Sequence, residues 1–350
     1  MTEPGGQRER GPVTIAHIAE TAGVSVPTVS KVLNGRSGVS EQTRARVEEL
    51  IERYGYRKPP AKGNDILELV FHELAGMQAV EVIRGVEQVA RKHRFGVVIS
   101  ESGPAAATAT AVDDLVERRP RVVLAVARLS EAERDLLKTR GIPFLVLDPA
   151  TELPDDVPFV GATDWRGGQT AIRHLVKLGH RRIAVISEPD LLPCRARLAG
   201  FHSAMQAAGL PVEPDLVLDA PLTREGGHAA ALGLLARADR PTAIFASSDL
   251  QALGVYRAAR EAGLRVPEDL SVVGFDDLPV GAWVEPPLTT VHRPLAEMAA
   301  AAAELALSLG RGEEPAQTGV EMATTLTVRE STAPPPATAA AAAATTTAAD

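Results

Sequence analysis

The chain has 350 residues, 45% of them hydrophobic but only 3% aromatic, so it can bury a core, and that core must be aliphatic. A single cysteine, Cys194, excludes an intramolecular disulfide, a four-thiolate zinc site and a thiolate-held iron–sulfur cluster. The net charge of −8 argues against a protein coated in nucleic acid, but it is uneven: residues 1–60 carry nine Lys/Arg against seven Asp/Glu, and the remainder 28 against 38. No apolar run reaches the ~18 residues of a membrane helix, and the opening MTEPGGQRERGP lacks the apolar stretch of a signal peptide. A cytoplasmic protein with no membrane partner is expected.

Residues 1–11 read as a loose polar tail, and the next segment as short helices and turns. In VTIAHIAETAGVSVPTVSKVLNG (13–35), Thr14 is a helix cap, and Ile15, Ile18, Ala19 and Ala22 share one helical face. Gly23 supplies a turn. Ser25 caps a second helix with Pro27 in its first turn, where proline costs little. Val29, Val32 and Leu33 form its buried face, and Asn34-Gly35 stops it. A third helix begins at Ser40, with Val47, Leu50, Ile51 and Tyr54 inward; Thr43 at the third position after the cap leaves the capping box incomplete. Two short helices across a tight turn are a helix-turn-helix, whose second helix fits the major groove of double-stranded DNA. Val26 and Pro27 suit thymine methyl groups, and Lys31 suits guanine O6 and N7. The hydroxyls of Thr14, Ser25, Thr28, Ser30, Ser40 and Thr43, with the Asn34 amide, suit phosphate oxygens. A small helical bundle used for protein contacts is the blander alternative.

RKPPAKGND (57–65) reads as a linker. Beyond it, short Val/Ile-rich runs alternate with Ala/Leu-rich helical segments. The runs are 66–71, 96–100, 121–126, 143–148, 182–187, 242–247 and 270–275. Apolar on nearly every residue, they read as strands of parallel sheets covered on both faces. Helical stretches such as 170–179 and 250–264 lie between them, and Gly141, Gly179, Gly209 and Gly263 read as left-handed helix stops. The fold class is α/β, doubly wound; about 265 residues is long for one such layer, which predicts two lobes with a cleft between them. The Ala/Thr/Pro-rich end, 331–350, lacks the apolar residues needed to fold and is expected to be disordered.

VTIAHIAETAGVSVPTVSKVLNG followed by VSEQTRARVEELIERYGYR resembles the head of lactose-repressor (LacI/GalR) type transcriptional regulators. HLVKLGHRRIAVI (174–186), RARLAGFHSAMQAAGL (195–210), the block 245–279 and PPLTTVHRPLAEM (286–298) match further blocks of that family, in its order, so the resemblance spans about residues 12–330. It implies a head over 12–58, a hinge over 59–65 and a two-lobed effector domain over 66–330, like periplasmic binding proteins. The N-lobe would take 66–161 and 290–320, the C-lobe 162–289 and 321–330. It implies a homodimer or dimer of dimers on a near-palindromic operator, repressing carbohydrate-utilisation genes and released by a small effector, a mono- or oligosaccharide. A corepressor-type regulator, or a sugar sensor without specific DNA binding, is the alternative. One departure stands out: the hinge is short, carries Pro59 and Pro60, and has no leucine before Leu67 to wedge into the minor groove, so weaker central bending of the operator is expected.

Ligands of α/β folds bind at the carboxyl ends of strands. That rule selects Glu73, Glu101, Ser248, Asp249 and Asp276. The resemblance adds Arg197 and a second reason for Asp276, places Trp165 and Trp283 at the cleft, and puts Gln78 (with Ala79) where many relatives carry an aromatic pair. Forked charged groups and flat apolar faces are what sugars need. Competing readings stay open: a helix cap for Asp276-Asp277, a surface ion pair for Arg197, packing for the tryptophans, solvated carboxylates for Glu73 and Glu101. The histidines lack paired metal-ligand spacing, so no metal and no cofactor is expected. The motifs of serine hydrolases, phosphate-loop enzymes and zinc peptidases are missing from the sequence, so no enzyme is expected.

Overall fold

The computed structural model describes residues 14–33, 38–54, 64–74, 76–103, 110–126 and 128–336, without the side chains of 110–113. Asn34, Pro59, Pro60 and the hinge as far as residue 63 lie outside them. The chain divides into two units between Lys62 and Gly63.

The first unit is three helices: α1 (Ile15–Ala22), α2 (Val26–Leu33) and α3 (Glu41–Tyr54). Their apolar faces meet in a core of Ile18, Ala19, Ala22, Val29, Val32, Val47 and Leu50, with Ile15, Leu33, Ile51 and Tyr54 packed at its edge. Gly23 sits at φ 67°, and its N–H bonds the Ala19 and Glu20 carbonyls, closing α1 as a left-handed stop. Thr14, Ser25 and Ser40 each accept a hydrogen bond from the backbone N–H three residues on, each at 3.3 Å.

The second unit holds two six-stranded sheets. Its N-lobe strands are β1 (Asn64–Phe71), β2 (Gly96–Glu101), β3 (Pro120–Val126), β4 (Phe144–Leu147), β5 (Phe159–Ala162) and β11 (Gly319–Met322), in the order β11-β5-β4-β3-β1-β2. The C-lobe strands are β6 (Ile183–Ser187), β7 (Val217–Asp219), β8 (Ala243–Ala246), β9 (Ser271–Asp276), β10 (Thr289–His292) and β12 (Thr325–Thr327), in the order β12-β10-β9-β8-β6-β7. Every pairing is parallel except β10 with β12. β6 and β9 are buried throughout, as continuous apolar runs predict, whereas edge strand β2 is half exposed. The chain passes between the sheets after β5, after β10 and after β11. The helices of this unit are α4 (Met77–His93), α5 (Thr110–Arg118), α6 (Glu131–Arg140), α7 (Asp164–Lys177), α8 (Leu192–Ala207), α9 (Arg224–Leu235), α10 (Asp249–Glu261), α11 (Pro279–Trp283) and α12 (Leu295–Gly310).

The lobes exchange their last strands at points that differ from the sequence-derived bounds. β10 pairs with β9 and belongs to the C-lobe sheet, not to an N-lobe segment starting at 290. β11 pairs with β5 through Met322, so the N-lobe reaches beyond residue 320. The first strand opens at Asn64, not Ile66. β5, β7, β10, β11 and β12 are three or four residues long and rich in Gly, Thr or acid, so they carry no apolar run to announce them. The expectation of disorder from residue 331 also fails over 331–336. Ser331 is buried, accepting from the Thr289 N–H and donating to the Val272 carbonyl. His180 holds the same segment: its Nε2 lies 2.9 Å from the Ala333 carbonyl, which can only accept, so Nε2 carries the proton. Polar pairing anchors this segment, which composition alone cannot reveal. Residues 337–350 lie outside the described residues.

Candidate nucleic-acid interface and effector cleft

Helix α2 buries Val29 and Val32 and turns Val26, Pro27 and Lys31 outward. Val26, the first residue of α2, is 40% exposed. No acidic residue stands in α2, so its exposed face is free of charge repelling phosphate. Ser25 and Thr28 hydroxyls pair at 2.9 Å, and Ser40 donates to Thr43 at 2.8 Å. Thr14, Ser25 and Ser40 therefore cap the three helices, and helix N-termini are places that receive phosphate oxygens. Ser30 lies on α2 one position before Lys31.

In the second unit, the strand ends of both lobes bring together charges that are far apart in sequence. Asp276 ends β9 and is only 2% exposed. Its backbone lies at φ 111° and that of Asp277 at φ 59°, a strained pair for non-glycine residues. Its Oδ2 accepts from Gln78 Nε2 at 2.8 Å. Its Oδ1 faces Arg293 Nε at 3.1 Å and Arg197 Nη2 at 4.0 Å. Arg197 donates through Nε to Asp164 (2.7 Å) and through Nη1 to the Ser247 carbonyl (2.6 Å), while its guanidinium carbon lies 3.8 Å from the Phe275 ring centre. Arg293 donates to Asp148 at the end of β4 (2.8 Å). Gln78 and Asp148 belong to the N-lobe, so two polar links cross the cleft at this cluster. A backbone bond, Leu192 N–H to the Ala150 carbonyl at 2.8 Å, is a third.

Burial and charge oppose each other here. Burial raises the Asp164 carboxyl pKa, and Arg197 only partly offsets it. Burial acts to lower the pKa of both guanidinia, yet the surrounding carboxylates lift Arg197 and Arg293 above their ordinary values. The packing of α7 on α8 fixes the geometry. A Cβ on Gly168 would come within 2.1 Å of the Arg197 carbonyl, and one on Gly200 within 2.1 Å of the Trp165 carbonyl. These two glycines let the backbones approach until Arg197 reaches Asp164.

Beside the cluster lies a cavity of about 810 Å³, lined from the N-lobe by Asp148, Pro149 and Gly161 and from the C-lobe by Asp164, Trp165 and Pro193. Trp165 is 44% exposed there. Its volume suits a mono- or disaccharide, and Trp165 supplies a flat apolar face.

The other expected cleft residues separate. Asp249 is fully buried behind β9, where Oδ2 accepts from the Leu278 N–H (2.7 Å) and Oδ1 from the Thr290 hydroxyl (2.6 Å). Burial first, then the charge of Asp276, pushes its pKa up to about 8. It braces the turn after Asp276 and, fully buried, does not line the cavity. Ser248 is buried as the cap of α10. Trp283 is 73% exposed at the end of α11 and does not line the cavity. Glu73 and Glu101 are exposed at the ends of β1 and β2, where Glu101 accepts from the Leu74 N–H at 3.2 Å. Sequence reasoning missed Asp148, Asp164 and Arg293. Asp148 obeys the strand-end rule that selected Glu73; Asp164 and Arg293 sit where the chain changes lobes, which no strand run marks.

These features define a helix-turn-helix protein with a two-lobed, periplasmic-binding-protein-like ligand domain. Residues 14–58 match the model of bacterial regulatory proteins of the lacI family, and residues 172–332 match a periplasmic binding protein-like domain. The chain is 34% identical to the HTH-type transcriptional regulator MalR of Streptomyces coelicolor, over 91% of this chain and 96% of that protein. Among solved structures it is similar to a complex of the transcriptional regulator CelR with cellobiose (TM-score 0.72, 32% identity, 91% of this chain and 99% of that one). It is also similar to the lac repressor dimer bound to operator and the anti-inducer ONPF (TM-score 0.67, 28% identity, 92% and 100%). The chain belongs to the LacI family of transcriptional regulators.

Proposed function

We propose that this regulator is a cytoplasmic repressor of carbohydrate-utilisation genes, binding operator DNA as a homodimer and released by a mono- or short oligosaccharide. The observation that carries the reading is the Asp148–Arg293–Asp276–Arg197–Asp164 cluster beside an 810 Å³ cavity lined by both lobes. Forked carboxylates and guanidinia beside a tryptophan face are the groups that grip neighbouring sugar hydroxyls. Val26, Pro27 and Lys31 read bases, and the capping hydroxyls and helix N-termini set register on the phosphates. An effector moves DNA affinity only through different affinities for two lobe arrangements, typically worth about 1–3 kcal/mol. No catalytic step is part of this reading. The related CelR complex with cellobiose and the operator-bound lac repressor support each half of it.

The test is fluorescence anisotropy of the full chain on DNA upstream of its own gene, at fixed salt because phosphate contacts make affinity steeply salt-dependent. Tight binding weakened by one saccharide of a panel is the expected result. Tightening by a saccharide would replace release with corepression, and no preference over random DNA would overturn the operator assignment.

A further inference from the structure

We infer that the N-lobe carries a second contact surface for double-stranded DNA: an exposed row of arginines at the amino ends of its strands, Arg94, Arg119 and Arg140, that meets backbone phosphates of the duplex gripped by the helix-turn-helix. The inference rests on the DNA-binding reading above for its partner, but phosphate contacts act on any duplex, so its test does not depend on operator preference. Three helix-to-strand turns place the row. Helix α4 ends at His93 before β2, α5 at Arg118 before β3, and α6 at Arg140 before β4. The register levels them: Ile66 lies opposite Gly96, Asn64 opposite Pro120, and Val123 opposite Phe144. In the order β2-β1-β3-β4 the three turns therefore line one edge of the lobe, across roughly 15 Å at the usual strand spacing. Asn64, where β1 begins, stands among them. The chain reaches it from α3 through residues 55–63, a tether that extends to about 30 Å at most.

The three arginines are uncommitted. Each is exposed, and among the described residues none has a side-chain hydrogen bond or an ion pair. By contrast, Arg91, Lys92, Arg118 and Lys138 beside them are held by carboxylates. A cation in the last turn of a helix also balances the helix dipole, but Arg94 and Arg119 stand past the last helical residue, at φ 60° and 48°. The row is local as well. Residues 61–350 carry 28 Lys/Arg against 38 Asp/Glu, and on the other side of the same sheet Asp155, Asp156 and Glu313 precede β5 and β11. An unpaired cationic row on an acidic body, at the edge where the chain arrives from the head, matches the charge of a phosphate backbone.

Fluorescence anisotropy of the full chain, across a salt series and on both the DNA upstream of its gene and a random duplex, tests this. Glutamine replaces each arginine, since it removes the charge and asks nothing new of the left-handed backbone at Arg94 and Arg119. The triple variant Arg94→Gln/Arg119→Gln/Arg140→Gln should lower the slope of log affinity against log salt by about two to three on both duplexes, at roughly 0.9 per phosphate contact. The ratio of operator to random-DNA affinity should hold, because phosphates carry no sequence, and the denaturation midpoint should hold, because these side chains bond nothing. Arg128, exposed beyond the opposite end of β3, is the control for net charge. Arg119→Gln should lower the slope by about 0.9 and Arg128→Gln should not. An unchanged slope in the triple variant, or an equal fall for Arg119→Gln and Arg128→Gln, would overturn the proposal. If the wild type shows no preference for the upstream DNA, the operator assignment fails, and the slopes on random duplex still decide whether the arginine row touches DNA. Binding to neither duplex would overturn both.

Discussion

The recognition helix and the cleft solve opposite problems with the same residue types. On α2 the candidate contacts stand on the outer face of a core that closes without them: Val29 and Val32 are buried, Val26 and Lys31 exposed. In the cleft the candidate contacts are the core: Arg197, Arg293, Asp164 and Asp276 are each more than nine-tenths buried and hold one another. A surface reader can change without cost to its fold. A buried charge cluster cannot, because removing one member leaves another uncompensated. Substitutions in the two regions should therefore separate binding from stability in one case and join them in the other.

Arg197→Ala should break that distinction most visibly. It strips the Asp164 carboxylate and the Ser247 carbonyl of their donor, and the expected cost is about 3–5 kcal/mol of stability. Chemical denaturation should show the loss, and anisotropy below the new melting point should show operator binding intact with no response to effector. A retained response would remove Arg197 from the ligand site.

His180 supplies the control, a buried polar centre outside the cleft. Its imidazole lies among Thr242, Ser271 and Ala333, and burial pushes its pKa down to about 4. In the unfolded chain the imidazole takes a proton near pH 6.5, and in the fold it resists protonation to about 4. The stabilisation from the neutral ring is thus complete above 6.5, declines as pH falls through that window, and is gone below 4. Its full size is about 3 kcal/mol. The stability gap between wild type and His180→Gln should shrink by about that amount from pH 7 to 4, with effector response at pH 7 unchanged. A gap independent of pH would show that the folded pKa is not lowered.

Gly200→Ala sharpens the same contrast with a single methyl group. The added Cβ meets the Trp165 carbonyl at 2.1 Å, so α8 must shift on α7, carrying Arg197 away from Asp164. The expected cost is about 1–3 kcal/mol. Effector affinity should fall by more than the stability loss accounts for at the assay temperature, because the substitution displaces a contact that it does not remove.

The contrast also explains what was legible in the sequence. The head and the longer strands are local patterns: a capped periodic run, a glycine stop, a buried Val/Ile stretch. The resemblance to known regulators spans nearly the whole body because those patterns recur in order. Asp164 and Arg293 were not legible, since their meaning arises only when chain crossings bring two lobes together, whereas Asp148 closes the 143–148 run and was within reach of the strand-end rule. Asp249 and Ser248 misled for the same reason. The strand-end rule says where a side chain stands, not whether its neighbours bury it, and Asp249 is buried with one oxygen bonded to the Leu278 N–H and the other to Thr290. Trp283 was placed by analogy and lies exposed.

Lys31→Ala tests the opposite pole, where the smallest effect is expected. Lys31 is exposed, and no core residue depends on its position. Stability should therefore hold within about 0.5 kcal/mol. A lysine contacts guanine as a point charge without the rigid fork of arginine, so the loss of discrimination falls at the low end of direct readout, about 1 kcal/mol or roughly fivefold. The informative quantity is the ratio of operator to random-DNA affinity at one salt concentration. A fall in that ratio assigns Lys31 to a base. An equal loss on both DNAs, with a shallower salt dependence, assigns it to a phosphate and leaves Val26 and Pro27 as the readers.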